Sequence, residues 1–370
     1  MGMTLIRKIG LIILFSCLSL PVLSQSNHET ENVILITLDG FRWQELFTGI
    51  DSTLMLHEDY VDNSDDLKEL FWAENSEQRR EKLTPFFWNT IAGEGQLYGN
   101  RNLGSNVDVI NGHFFSYPGY NEILTGYADE QVDSNDKIWN PNKTVLEFIN
   151  ERPGFAGQVA AFASWDVFPY IINSNRSGIP VNAGFEPVQG DHLTERETFL
   201  NELIEEIPSP WGSVRHDAFT HHYALEYLKT EKPRLLYIAY GETDDFAHDG
   251  DYEAYIHSAH QTDQFIGELW EFAQNDEQYQ GKTTFIITTD HGRGTEPIDQ
   301  WQHHGSDVEG AEEIWIAAIG PDTPALGEVR ESSRLYQNQI AKTVARLLGF
   351  DYQNNIPVGD VIDTIIQKYR

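Results

Sequence analysis

The chain has 370 residues and a formal net charge of −33, with 58 acidic and 25 basic side chains. A surface this acidic repels the phosphates of a nucleic acid duplex and the headgroups of an anionic membrane, which excludes both as general partners. It does not exclude a small anionic substrate, because bound cations can reverse the local field at a site. The only cysteine is Cys17, so a mature chain without it has neither disulfides nor a thiolate metal site.

Residues 1–24 have the pattern of a secretory signal peptide. Arg7 and Lys8 precede an apolar run of about a dozen residues, which is too short to span a bilayer comfortably, and a cleavage site with small residues precedes Gln25. The alternative is a lipoprotein anchored through Cys17, but a bulky residue stands where lipoprotein signals carry a small one. We therefore expect an exported protein, periplasmic or secreted, with no stable membrane insertion.

Residues 25–370 are predicted to form a single catalytic domain. A chain of this length can bury an adequate core without disulfides. Two stretches, at about 44–82 and 165–200, show no clear strand pattern and are predicted to be insertions that shape the substrate pocket. Between and beyond them, strand-like and helix-like segments alternate, which favours an α/β fold with a mostly parallel central sheet.

Three apolar runs rich in β-branched residues are predicted to be buried strands, and each is followed by residues that can bind a metal ion. In open α/β sheets, ligands bind at the carboxyl ends of the strands. A helix cap or a turn is the ordinary explanation for any one of these carboxylates, but three together form a pattern. The runs and the residues that follow them are 32–38 with Asp39, 234–240 with Asp244 and, four residues on, His248, and 285–289 with Asp290 and His291.

A helix is predicted after Phe115, with Pro118 in its first turn and Gly126 as its C-terminal cap. Ser116 then lies at the helix N-terminus, where unpaired N–H groups and the helix dipole favour an anion. Serine is also a common capping residue, so this segment alone does not identify a catalytic group.

Four further polar residues fall within predicted helices. Asp263 lies close to the apolar face of a helix that begins near residue 252, and it is expected to pair with a backbone group or with a site residue. His216, His221 and His222 have no acidic residue at ligand spacing, so we expect them to be surface histidines.

The chain resembles the alkaline phosphatase superfamily, and it is most similar to the nucleotide pyrophosphatase/phosphodiesterase-like and phosphatase branches. Each matching block is a weak signal alone, whereas their order, spacing and placement at predicted strand ends are specific. The resemblance implies a three-layer α/β/α sandwich with cap or loop insertions. The blocks are LDG at 38–40, SYPGYNEILTG at 116–126, ETDDFAH at 242–248, TTDHG at 288–292, HHG at 303–305 and IAAIGPD at 316–322.

The resemblance also implies two zinc ions, although other divalent metals are compatible. Carboxylates and neutral imidazoles are suitable zinc ligands. His303 remains an alternative to His304 as the last ligand of the second ion. The implied ligands are Asp39, Asp290, His291 and the Ser116 oxygen for one ion, and Asp244, His248 and His304 for the other.

The activity implied is hydrolysis of a phosphoric ester, either a monoester or a diester, from an anionic small molecule or a glycan-derived compound. Ser116 would attack phosphorus and form a phospho-serine intermediate, because metal coordination favours the alkoxide form of the hydroxyl. Backbone N–H groups after Ser116, helped by Asn111 or Asn121, would hold a non-bridging oxygen of the phosphoryl group.

Three departures from the family pattern leave other functions open. The phosphodiesterase-like members usually carry Thr as the nucleophile and an Asn a few residues on, whereas Ser116 is followed by Gly119 and Tyr120. The segment also lacks the Arg of the C/S-x-P-x-R motif by which sulfatases are modified. No arginine is singled out as the phosphate contact among Arg42, Arg101 and Arg293, and Arg293 is expected to be a solvent-facing loop charge. The alternative functions are a sulfatase of the same superfamily and a non-catalytic metal-binding module.

Overall fold

The computed structural model describes residues 28–331 and 334–366. The predicted signal peptide and Cys17 lie outside the described residues. None of the helices in the described ranges is both long enough and apolar enough to span a membrane.

Eleven strands of the described residues form one sheet of eight strands and one of three. The spatial order of the large sheet is β10-β2-β9-β7-β1-β6-β4-β5, and that of the small sheet is β11-β3-β8. The strands are β1 Asn32–Leu38, β2 Gln96–Tyr98, β3 Val107–Asp108, β4 Val159–Ala163, β5 Val181–Ala183, β6 Leu235–Tyr240, β7 Thr283–Thr288, β8 Glu313–Ile314, β9 Ile316–Ile319, β10 Gly327–Glu328 and β11 Leu335–Tyr336.

The centre of the large sheet is parallel. Strand β1 pairs in parallel with β6 on one side and with β7 on the other, and β4 pairs in parallel with both β6 and β5. Only β9 is antiparallel to its neighbours, β7 and β2. The mostly parallel sheet predicted from the sequence is therefore confirmed.

Successive side chains of the central strands point to opposite faces of the sheet and enter two separate cores. In β1, Ile34 and Ile36 belong to one core, whereas Val33 and Leu35 belong to the other. Because both faces are buried, these strands read as continuous apolar runs rather than as alternating ones. The predicted three-layer α/β/α sandwich is the observed architecture.

Fourteen α-helices of the described residues cover the two faces of the sheet or form its connections. The first core is closed mainly by α1 to α4, α11 and α13, and the second by α6 to α8 and α14. The helices are α1 Trp43–Thr48, α2 Ser52–Met55, α3 Ser64–Phe71, α4 Ser76–Leu83, α5 Ala92–Glu94, α6 Ser116–Thr125, α7 Val145–Asn150, α8 Phe168–Ile171, α9 Ser174–Ser177, α10 Glu195–Glu206, α11 Asp217–Thr230, α12 Glu242–Asp249, α13 Tyr252–Asn275 and α14 Ile340–Leu347.

Helix α6 forms as its sequence predicts. It starts at Ser116, and Gly126 ends it in the left-handed conformation with φ of 80°. The segment from Leu335 begins with β11 and a 3-10 turn, and α14 starts at Ile340. Within that turn the side chain of Gln337 is buried and donates to the carbonyl oxygens of Thr289 and Asp290.

Asp263 binds backbone groups rather than a site residue. Its two carboxylate oxygens accept hydrogen bonds from the N–H groups of Phe86 and Phe87, at 2.9 and 3.0 Å. These N–H groups belong to the first turn of the helical segment that follows Thr84, where no intrahelical acceptor exists. The carboxyl therefore fastens that segment to α13.

Replacing Asp263 with Ala should lower the free energy of unfolding by about 1–3 kcal/mol, because two backbone donors lose their acceptor. Burial raises the pKa of Asp263 to about 7. Stabilisation by a group with a raised pKa is complete below its ordinary pKa and declines as the pH rises through the folded value, so the loss should be larger at pH 5 than at pH 8. Denaturant unfolding of the wild type and the variant at the two pH values measures the loss in the free energy of unfolding.

The exposed Glu271 on the same helix provides the control for that experiment. Glu271→Ala should change the free energy of unfolding by no more than about 0.5 kcal/mol. An equal effect of the two substitutions would mean that the buried carboxyl does not stabilise the α13 contact.

Candidate metal centre

The parallel pairing of β1 with β6 and β7 brings three strand ends to one place. Leu38 lies beside Tyr240 of β6, and Thr37 lies beside Thr288 of β7. The residues that follow these strands therefore leave the sheet at the same edge. Two clusters of potential metal ligands form there, and in each cluster the candidate ligand atoms lie within 4.8 Å of one another.

The inner group consists of Asp39, Asp290 and His291. All three side chains are buried. Each has one ligand atom that is buried and accepts no hydrogen bond from the protein: Oδ1 of Asp39, Oδ2 of Asp290 and Nε2 of His291. A buried polar atom without a partner is costly, so three of them facing one another fit a bound cation.

The other oxygen of each inner carboxylate is held by a protein donor. Asp39 Oδ2 accepts a hydrogen bond from the Tyr120 hydroxyl at 2.8 Å, and Asp290 Oδ1 accepts one from the Gly40 N–H at 3.1 Å. The free oxygens lie 3.3 and 3.5 Å from His291 Nε2. Hydrogen bonds to the outer oxygens thus orient the inner ones toward a common point.

The His291 ring is oriented in the same way. Its Nδ1 is 2.9 Å from the Gly292 carbonyl oxygen. A carbonyl can only accept, so Nδ1 carries the proton and Nε2 has a free lone pair. A second hydrogen bond of this kind commonly fixes the tautomer of a metal-binding histidine.

The outer group consists of Asp244, His248 and His304. The two imidazole Nε2 atoms are 2.9 Å apart, and the His248 Nε2 lies 3.4 Å from Asp244 Oδ2. His304 Nδ1 donates to the Phe114 carbonyl oxygen at 3.1 Å, which directs its Nε2 into the group. His303, the alternative from the sequence, is not part of this cluster.

The two groups adjoin each other. His291 Nε2 of the inner group is 3.6 Å from Asp244 Oδ1 of the outer group. The rings of His291 and His304 stack with their centroids 3.9 Å apart. The two groups thus form one continuous cluster of candidate metal ligands.

Burial and mutual repulsion perturb the carboxylates of this centre. Burial, followed by the nearby Asp244 carboxylate, raises the pKa of Asp39 well above its usual range. Burial, followed by Asp39, raises the pKa of Asp290 in the same way. At Asp244, burial also acts to raise the pKa, but Arg293, His248 and His304 together outweigh it, so the pKa is lowered well below its usual range. Negative charge in the inner group is therefore poorly compensated by the protein itself.

Helix α6 and the residues just before it contact both groups, on either side of Ser116. The carbonyl oxygen of Phe114 accepts from His304, and Tyr120, one turn after Ser116, donates to Asp39. The backbone between them is tightly packed, since a Cβ at Gly119 would lie 2.5 Å from the Asp290 carbonyl oxygen. Phe114 itself has φ of 53°, a strained conformation for a bulky residue of the kind that often occurs at functional sites.

The N-terminus of α6 has few free N–H groups. The N–H of Tyr117 donates to Asn135 Oδ1 at 3.0 Å, that of Gly119 donates to the Phe115 carbonyl, and Pro118 has none. The expectation that several N–H groups after Ser116 hold an oxyanion is therefore not met in this structure.

Asn111 and Asn121 hydrogen bond to other protein groups. Asn111 Oδ1 accepts from the N–H groups of His113 and Phe114, and its Nδ2 donates to Glu122. Asn121 Oδ1 accepts from the amide nitrogens of Asn140 and Asn142. In this structure, the two amides stabilise the loop before α6 and the packing behind it.

The three arginines considered for phosphate binding are all engaged with carboxylates. Arg42 pairs with Glu45, and Arg101 pairs with Asp108. Arg293 pairs with Asp244 and is 1% exposed, so the prediction of a solvent-facing loop charge was wrong. The chain returns to the protein interior after Gly292 instead of entering solvent.

The prediction of surface histidines was wrong for His221. It is fully buried, stacks on Phe265 with centroids 4.2 Å apart, and bonds to Glu268 at 2.9 Å. Glu268 lies on α13, so the acidic partner was invisible to spacing along α11. His216 is partly buried and bonds to Glu242 at 2.7 Å.

The sequence of this chain matches a family model over the segment that carries most of the centre. The model describes the Metalloenzyme superfamily and covers residues 191–352, which include five of the seven predicted metal ligands. Over this segment the chain is similar to the Metalloenzyme superfamily. A search of curated protein sequences found no significant match.

Solved structures with the same fold include both phosphoesterases and sulfatases. The wild-type alkaline phosphatase PafA aligns with a TM-score of 0.56 at 10% identity, over 92% of this chain and 99% of that one. The phosphonate monoester hydrolase of Agrobacterium radiobacter has a TM-score of 0.56 at 14% identity, over 91% and 77%. A 2-O GAG sulfatase has a TM-score of 0.58 at 12% identity, over 92% and 76%. These likenesses show an alkaline-phosphatase-like fold.

A cavity of about 560 Å³ opens beside the candidate metal centre. Phe114, whose carbonyl binds His304, and Ser306, two residues beyond His304, are part of its wall. Its lining comes from segments 108–114, 306–312 and 334–336, and not from the predicted insertions at 44–82 and 165–200. Four carboxylates make the wall acidic: Asp108, Asp307, Glu309 and Glu312.

Supporting residues around the ligands were missed by sequence reasoning. The Thr243 hydroxyl donates to the Asp39 carbonyl oxygen at 2.5 Å, and Gln337 donates to that of Asp290 at 2.7 Å. Tyr120 holds the Asp39 carboxylate. A helical spacing of four from Ser116 was the available signal for Tyr120, whereas no local pattern marks Gln337.

In the cation-free protein, Asp290→Asn should raise the midpoint of thermal unfolding at pH 8 by at least about 2 °C, because it removes a buried charge that the protein does not compensate. The raised pKa of Asp290 means that the wild type loses stability as the pH rises above the ordinary carboxyl pKa, and the variant should lose less. Calorimetry in the presence of a chelator measures both effects.

The control is Asp299→Asn, which changes an exposed carboxylate on the turn that follows the centre. It should leave the midpoint of unfolding unchanged. A destabilised Asp290→Asn protein would mean that the inner carboxylate is compensated by the protein without a cation.

Proposed function

We propose that the chain is an exported, zinc-dependent hydrolase of phosphoric esters, a phosphatase or a phosphodiesterase. The observation that carries the proposal is the convergence of three orphaned, buried ligand atoms beside the helix that begins at Ser116. The similarity of residues 191–352 to the Metalloenzyme superfamily supports the hydrolase class and the use of divalent metal ions. The phosphoric ester, the identity of the metal and export are our proposal.

The proposed metal ligands are those already described as the inner and outer groups, with the Ser116 oxygen added to the inner one. Asp, Glu and His are the nitrogen and oxygen ligands expected for zinc. When bound, divalent cations at this centre would supply positive charge for the phosphoryl oxygens and favour the ionised form of the serine hydroxyl.

Ser116 is the proposed nucleophile. Its Oγ forms a bond to phosphorus, the bond between phosphorus and the leaving alcohol oxygen breaks, and a phospho-serine results. Water then attacks the same phosphorus, releases phosphate or a phosphate ester, and restores the Ser116 hydroxyl. The position of Ser116 between Phe114 and Tyr120, which contact both ligand groups, supports this role.

Tyr120 and the two asparagines are assigned to positioning rather than to chemistry. The Tyr120 hydroxyl ties the nucleophile helix to Asp39. Asn111 shapes the turn that leads to Phe114, and Asn121 packs behind the helix. A contact from Asn111 or Asn121 to substrate would require these hydrogen bonds to be exchanged.

The substrate is proposed to be an anionic ester from a small molecule or a glycan-derived compound. The cavity beside the centre has the volume for a substituent of that size. Sulfate esters are the second candidate, because a 2-O GAG sulfatase shares the fold. The segment from Ser116 to Tyr120 lacks the arginine of the sulfatase modification motif, which favours a phosphoric ester.

Hydrolysis of p-nitrophenyl phosphate, bis-p-nitrophenyl phosphate and p-nitrophenyl sulfate by chain 25–370 tests the reaction class. We expect zinc-dependent cleavage of at least one phosphate ester, and a loss of at least about a thousandfold in kcat for Ser116→Ala, because the nucleophile is removed. A rapid acid quench should reveal one added phosphoryl group on the wild type by mass spectrometry.

Ser174→Ala, a substitution in the distant helix α9, serves as the control and should keep full activity. Cleavage of the sulfate alone, with a formylglycine at position 116, would make the protein a sulfatase. Bound zinc with no turnover of any ester would favour a metal-binding module.

The zinc content of two variants tests whether His304 or His303 is the metal ligand. His304→Ala should lose about one zinc ion per chain, because His304 Nε2 points into the outer group. His303→Ala is the matched control and should retain the wild-type content. Elemental analysis after dialysis measures both, and a loss confined to His303→Ala would reverse the assignment of the ligand.

A further inference from the structure

The guanidinium of Arg293 is buried at the junction of the two ligand groups. It donates hydrogen bonds to the carbonyl oxygens of Gly40, Asp244 and Gln302, at 3.2, 3.1 and 2.6 Å. It also forms an ion pair with Asp244 Oδ1. One side chain thus binds four acceptors on three separate segments of the chain: the turn after β1, helix α12 and the 3-10 turn that ends at Gln302.

Each of those segments carries a proposed ligand or closely precedes one. Gly40 follows Asp39 of the inner group directly, Asp244 is itself an outer ligand, and Gln302 precedes His304 by two residues. Arg293 lies two residues after His291. The guanidinium therefore adds a permanent positive charge at the point where all the ligand segments meet.

Because Gly40 has no side chain, there is room beside it for the ion pair between Arg293 and Asp244. It has φ of 58°, and a Cβ there would lie 2.8 Å from Arg293 Nε and 2.9 Å from Asp244 Oδ1. The glycine of the LDG block thus serves both the turn after β1 and the approach of Arg293 to Asp244.

The two groups differ in the negative charge that they can offer a cation. The inner group has two carboxylates, and no Lys or Arg of the described residues forms an ion pair with either of them. The outer group has one carboxylate, and one of its oxygens is already paired with Arg293. The outer imidazoles also bond to each other through Nε2, and that contact must open before both can bind an ion.

We propose that Arg293 makes the two metal positions unequal, so that a divalent cation fills the inner group first and the outer group later and less tightly. The inference rests on the proposed two-cation centre and deepens it. Arg293 acts through Asp244 as a positioning residue: it fixes the segments and withdraws part of the carboxylate charge from the outer position. Occupancy of the outer position then becomes the step that depends on the cation concentration.

The test is a titration of chelator-treated chain 25–370 with Zn²⁺ in competition with a chromophoric chelator. The wild type should show two classes of site whose dissociation constants differ by about tenfold or more, equivalent to about 1.4 kcal/mol. His248→Ala should remove the weak class and keep the tight one. Asp290→Asn should weaken the tight class.

Two substitutions of Arg293 distinguish the effect of its positive charge from the effect of its hydrogen bonds to the surrounding segments. Arg293→Gln keeps hydrogen-bond donors and removes the charge, so the two dissociation constants should approach each other to within about threefold. Arg293→Lys keeps the charge and should retain the wild-type difference. A parallel weakening of both classes by Arg293→Gln would show a purely structural role and overturn the proposal.

The remaining outcomes distinguish this inference from the proposed function. Two equal classes in the wild type, or loss of the tight class in His248→Ala, would overturn the inference and leave a two-zinc hydrolase intact. Failure to bind any Zn²⁺ would overturn both. If Arg293→Gln does not fold, the wild-type titration and the His248→Ala and Arg293→Lys proteins still decide the question.

Discussion

Repulsion among buried carboxylates at the edge of the central sheet is the constraint on which the rest of this structure depends. Asp39 and Asp290 lie close together because β1 and β7 are parallel neighbours, and Asp244 lies at the same edge because it follows β6. Burial and their proximity raise the pKa values of Asp39 and Asp290. The surrounding hydrogen bonds, from Tyr120 and Gly40, fix the carboxylates without neutralising them, and this leaves a centre suited to cations.

The parallel sheet and its two cores supply the rigidity that such a centre needs. Continuous apolar strands fix the register, so the residues after the strands cannot move apart without disrupting both layers. Helix α6 is then held against the centre by Gly119 and Tyr120. Placement of Ser116, the proposed nucleophile, by this packing rather than by a flexible loop would suit a reaction that depends on accurate alignment.

The strands and the ligand pattern could be predicted from the sequence because both are local. An apolar run followed by Asp or Asp-His predicts both the end of a strand and a candidate metal ligand. Parallel strands then place those ends at one edge of the sheet. The environment of Arg293 could not be predicted, because three of its four acceptors belong to Gly40 and Asp244, which are 253 and 49 residues away along the chain. His221 was misjudged for the same reason, since its partner Glu268 lies on another helix. The shape of the cavity beside the centre likewise depends on three distant segments.

Anomalous X-ray diffraction at the zinc absorption edge, from crystals of chain 25–370 grown with zinc, would locate the cations directly. We expect one anomalous peak within bonding distance of Asp39, Asp290 and His291, and a second peak beside Asp244, His248 and His304. Absence of a peak among the three orphaned atoms of the inner group, in a correctly folded chain, would show that the uncompensated carboxylates do not form a metal site.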